Sequence, residues 1–91
     1  KKNFDLIFFD GNHSKEATLR YFYWALEFVK EDSIFIFDDI NWSYEMREAW
    51  IEICKSSKVI LTLDIFSLGI VLFKKNRQKE HINLIHLSNF Y

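Results

Sequence analysis

Asp10 and the pair Asp38–Asp39 each follow a short apolar run, in "DLIFFDGNH" (residues 5–13) and "SIFIFDDINW" (residues 33–42). Acids that end buried strands meet on one rim, because open α/β sheets bind ligands at the carboxyl ends of their strands. Three carboxylates on one rim repel unless they are protonated, kept apart or shared by a cation. A hard cation such as Mg²⁺ or Ca²⁺ suits them, since it takes oxygen ligands and keeps several waters. Asn41 offers a further carbonyl oxygen. His13, just past Asp10, carries the side chain best suited to a general base near neutral pH. Each residue also has a plainer reading. An acid after a strand commonly caps the next helix, and a lone loop histidine is commonly only solvated. Asp5 opens a strand and reads as structural, His81 and His86 lie in the tail, and Trp42 reads as packing before substrate wall.

The elements that must hold these residues follow from periodicity. Phe4–Phe9 is apolar on both faces apart from Asp5, the pattern of a strand covered on both sides. Gly11 and Asn12 form a turn, and Ser14 caps a helix running to about Lys30, with Glu16 favoured in its first turn. Ala17, Tyr21, Trp24, Ala25 and Phe28 recur at helical spacing along it, and its aromatic face reads as core or interface. Glu31, Asp32 and Ser33 close that helix without Gly or Pro. Ile34–Phe37 reads as a second doubly buried strand. Ser43 caps a second helix over Tyr44–Lys55, whose inner stripe is Met46, Ala49, Trp50 and Ile53. Val59–Ile65 and Gly69–Lys75 form an antiparallel hairpin with Gly69 at or near the bend. The remaining residues read as a tail with one short strand or helix near Ile82–Leu87. The order β-α-β-α-β-β implies parallel strands with right-handed crossovers, and a terminal hairpin adding an antiparallel strand at one edge.

Bulk composition narrows the function classes. The chain has 91 residues, room for one thin-cored domain. Hydrophobic residues make up 49% and include 10 Phe, 4 Tyr and 3 Trp, which favours a folded chain with more apolar surface than one small core hides. Net charge is −1 with no basic stripe, so no nucleic-acid partner is expected. A single cysteine, Cys54, excludes an internal disulfide and a multi-cysteine zinc site. No apolar stretch approaches the roughly 20 residues that span a bilayer, so no membrane is expected, and a cytoplasmic location is. The chain opens on Lys1 without an initiator methionine and reads as a piece of something longer.

The stretch "FDLIFFDGNHSKEATLRYFYWALEFVKEDSIFIFDDINW" resembles the second half of a class I S-adenosylmethionine-dependent methyltransferase, most nearly the small O-methyltransferase-like group. The later "LTLDIFSLGIVLFKK" is similar to the closing strand pair of the same fold, so the resemblance covers about residues 4–75. It implies a partial Rossmann-like methyltransferase sheet over residues 1–77, followed by a C-terminal tail over 78–91. It implies S-adenosylmethionine as cofactor, with Asp10, Gly11 and Asn12 near it, and a small-molecule or sugar hydroxyl as methyl acceptor. It implies that the glycine-rich loop gripping most of the cofactor lies elsewhere, because only Gly11 and Gly69 occur here. The fragment alone is therefore expected to be inactive. Cation-dependent relatives of the catechol and caffeoyl type place metal-binding residues at positions matching Asp10, Asp38 and Asp39, and a lysine base at that of His13. Here Asp39 replaces an amide and His13 a lysine, while Asp32 and Ser33 replace the usual glycine pair.

Two other classes compete. A non-catalytic module would expose the edge of its first strand and self-associate through that edge or the aromatic helix. A phosphoacceptor receiver domain also ends a strand in paired acids, but it needs a later Asp and a Lys beyond it. Asp64 lies inside a strand run with no suitable Lys after it.

Overall fold

The computed structural model describes residues 5–10, 14–75 and 77–84. Strand β1 (Leu6–Phe9) leads to helix α1 (Lys15–Leu26), strand β2 (Ile34–Asp38) and helix α2 (Tyr44–Lys55). Strands β3 (Leu61–Ile65), β4 (Leu68–Leu72) and β5 (Glu80–Asn83) follow. The architecture is α/β, with a five-stranded mixed sheet in the order β1-β2-β4-β3-β5.

β1 and β2 pair in parallel, Phe9 opposite Phe37, so Asp10 and Asp38 leave the sheet side by side. The hairpin corrects the expectation of an antiparallel strand at the edge. β4 lies inside the sheet, antiparallel to both β2 and β3, while β3 takes β5 as a parallel neighbour. Four strands thus point one way and their carboxyl ends share one rim. The strand expected in the tail begins at Glu80; Ile85 to Leu87 and His86 lie outside the described residues.

Both helices begin where the sequence places them. Ser14 Oγ accepts from Ala17 N at 3.2 Å and Ser43 Oγ from Met46 N at 3.1 Å, each satisfying an otherwise orphaned amide. α1 stops at Leu26 rather than near Lys30, unwinding through tighter bonds such as Phe28 N to Ala25 O. Ser33 then closes the turn in place of glycine, its Oγ accepting from Lys30 N at 2.8 Å. α2 buries the expected stripe of Met46, Ala49, Trp50 and Ile53. α1 does not bury the expected one. Its inner face is Thr18, Phe22, Ala25 and Leu26, and Tyr21, Trp24 and Phe28 are exposed.

The helices lie side by side on one face of the sheet. Thr18 Oγ1 donates to Met46 Sδ, Tyr23 OH donates to Glu52 Oε2 at 2.7 Å, and Lys15 pairs with Glu48. The hydrogen bond to Glu52, more than burial or charge, pushes the Tyr23 phenol above its ordinary pKa. Phe22, Phe35, Phe37, Trp50 and Val71 fill the layer between helices and sheet. On the opposite face, Leu6 and Phe8 are exposed and Ile34, Ile36, Ile70 and Leu72 half-buried. The double cover expected of β1 and β2 is therefore single among the described residues. Their apolar outer face is the part of the pattern that this fold does not use.

Candidate functional site at the carboxyl rim

Asp38 ends β2 and its Oδ1 accepts from Asp39 N at 2.9 Å. Asp39 takes a left-handed φ of 59°, a conformation that aspartate tolerates better than most residues. That single turn separates the two acids. Asp10 and Asp38 open on one cavity of about 330 Å³, whereas Asp39 lines another of about 190 Å³ beside Trp42 and Phe66. Among the described residues no three His, Cys, Asp or Glu side chains lie close enough to hold a metal ion together. Gly11, Asn12 and His13 lie outside the described residues.

The larger cavity runs past the edge of β1 at Phe8 and is walled by Tyr21 and Trp24 from α1. Phe9 and Phe37, stacked with ring centroids 4.3 Å apart, close it toward the core. Sequence reading put Tyr21 and Trp24 on a helix face but did not connect them to the acids. The link runs through α1 crossing over the end of β1, and nothing local in the sequence encodes it.

Asn41, offered as a carbonyl ligand, is engaged elsewhere. Its Oδ1 accepts from Arg47 Nη1 at 2.9 Å, and its Nδ2 donates to Phe66 O. The same Arg47 nitrogen donates to Asp64 Oδ2 at 3.3 Å, and Asp64 Oδ1 accepts from Phe66 N at 3.1 Å. Ile40 N donates to Ser67 O at 3.2 Å. These bonds lash the loop after Asp38 to the β3–β4 turn. Sequence reading missed both Arg47 and Asp64 as positioning residues.

His81 is structural in the way its tail position suggested. Its Nδ1 lies 2.6 Å from Thr62 Oγ1 and 3.8 Å from Cys54 Sγ, tying β5 to β3 and α2. Burial pushes the Cys54 thiol above its ordinary pKa, with Thr62 pulling the other way, so the group stays protonated near neutral pH.

Residues 1–40, which carry β1, α1 and β2, match a family model described as a methyltransferase domain. No curated protein and no solved structure matches the chain. No helix among the described residues is long and apolar enough to cross a membrane.

Proposed function

We propose that the chain supplies the second half of an S-adenosylmethionine-dependent methyltransferase domain, whose parent methylates a hydroxyl oxygen of a small molecule or sugar in the cytoplasm. The observation carrying this reading is the methyltransferase-domain match over the strand–helix–strand unit that ends in Asp10 and Asp38. Bound cofactor supplies an electrophilic sulfonium methyl. This chain's part would be to orient the acceptor at the rim and, at His13, to accept the hydroxyl proton. Asp10, Gly11 and Asn12 would border the cofactor. The chain fits only part of that group, because its other glycine, Gly69, is packed under Trp50 and forms no loop that could hold the ribose or the methionine end. The divalent cation expected from the sequence is not carried into the proposal, since only Asp10 and Asp38 share a cavity and no group of three donors occurs among the described residues. Asp39 faces away from them, and no step written here needs a cation.

Calorimetric titration with S-adenosylhomocysteine tests the reading. The parent protein is expected to bind it and this fragment to bind it weakly or not at all. A parent that fails to bind removes the assignment.

A second reading, a self-associating module, is favoured by the edge of β1, which pairs with no strand beyond β2 among the described residues. Phe8, Tyr21, Trp24 and Phe28 are 46–63% exposed around that edge. Rings of this kind cover about 150–250 Å² each, so half-exposed they offer about 400 Å² per copy. With Leu6 and the unpaired strand backbone, two copies approach the ~1,000 Å² that a specific interface needs. The chain is then expected to sediment as a dimer at high concentration, and Trp24→Glu to return it to monomer. A monomer throughout the concentration range counts against this reading.

A further inference from the structure

We propose that the rim cavity binds an organic cation, a group about the size of trimethylammonium carried on a small molecule. Three properties of the cavity combine to select that class. Its helix-side wall is aromatic, with Trp24 63% and Tyr21 46% exposed, so ring surface is available to a ligand. Two carboxylates, Asp10 and Asp38, share it. No Lys, Arg or His lines it among the described residues.

Each alternative fails on one of these properties. Among the described residues, an anion would meet two like charges and no base. A neutral apolar ligand would strip water from the carboxylates and return nothing to them. A small hydrated metal ion keeps its waters and has no use for an aromatic wall. An organic cation uses both features, its charge facing the carboxylates and its methyl or methylene surface lying against the ring faces. The rings here already attract a cation: the Arg20 guanidinium sits 5.5 Å from the centroid of Tyr21. Arg20 also pairs with Glu16 at 3.8 Å and does not line the cavity, so it leaves Trp24 open.

If the ligand is the methyl acceptor, the inference rests on the methyltransferase reading and names the cationic handle by which the acceptor is held. Binding itself does not depend on that reading. The test is calorimetric titration of the protein with choline, with its uncharged isostere 3,3-dimethylbutan-1-ol, and with MgCl₂. Choline is expected to bind about ten-fold more tightly than the isostere. Trp24→Ala and Asp10→Asn are each expected to weaken choline at least about three-fold. Both side chains belong to exposed residues, so the thermal melts of the variants should match the parent chain. Equal binding of the isostere overturns the proposal in favour of an apolar slot. Binding of neither probe overturns it in favour of a surface that another polypeptide covers. Mg²⁺ binding that needs Asp10 but not Trp24, with no choline bound, overturns it in favour of a metal site. Choline binding by a parent that ignores S-adenosylhomocysteine would leave this inference standing and remove the methyltransferase.

Discussion

Gly69→Ala lowers the unfolding free energy by about 1–3 kcal/mol, and Trp50→Ala by about 3–5 kcal/mol, in urea denaturation. The two residues share one cause. A Cβ built on Gly69 would lie 2.5 Å from both Cη2 and Cζ3 of Trp50 and 2.8 Å from Cζ2, closer than carbon atoms approach. The indole is 2% exposed and wedged between α2 and the sheet, with the Phe37 ring 6.2 Å away, so it cannot swing aside into solvent. Either the ring shifts or β4 buckles against β2 and β3, which hold it on both sides. Gly69 does not have a positive φ, so its role is space and not backbone freedom. That distinction gives the decisive measurement. In a Trp50→Phe background the smaller ring leaves room for a methyl group, and the Gly69→Ala cost should fall by at least about 1 kcal/mol. An equal cost in both backgrounds would mean that the clash is not the cause.

The same glycine marks where local reading ends. Glycine in a strand-turn-strand pattern suggests the bend, yet the bend is Phe66–Ser67, with Phe66 at a φ of 64°. A two-residue hairpin turn favours glycine at such a position, and here Phe66 holds it instead, through bonds to Asp64 and Asn41. Glycine at position 69 answers to Trp50, on another element, so its reason is tertiary. The carboxyl ends of β1, β2 and β3, both serine caps and the α2 stripe were legible because each depends on neighbours within one or two turns, whereas β4 stops at Leu72 and not at Lys75. The α1 face was not legible. Tyr21, Phe22, Tyr23 and Trp24 put aromatic side chains all round the helix, and the period alone does not choose among them. The sheet chooses, by accepting Phe22 and leaving Tyr21 and Trp24 at the rim. Sequence alone assigns both acids at the end of β2 to one rim for a similar reason. Their separation depends on one left-handed residue, and composition does not reveal a φ angle.

Arg47→Ala is expected to cost about 2–3 kcal/mol, the range for leaving a buried acceptor short of a donor. The asymmetry of the pair sets this size. The Asp64 side chain is 1% exposed while that of Arg47 is 43% exposed, so the carboxylate depends on the arginine and the arginine can turn to water. Without Arg47, the buried Asp64 side chain retains the Phe66 amide as a donor. Asp64→Asn removes the charge and retains an acceptor for the amide, so it should cost only about 1–2 kcal/mol. An ordinary surface pair would give under about 1 kcal/mol for either change. The order of the two costs therefore tests which partner is trapped. The consequences should reach the rim, since Asn41 also loses the donor that holds its Oδ1. The Ile40 amide, bonded to Ser67 O across the same joint, should exchange with solvent faster in Arg47→Ala than in Asp64→Asn. If the two variants are equally stable and the Ile40 amide is equally protected in both, the network does not position the loop that turns Asp39 away from Asp38.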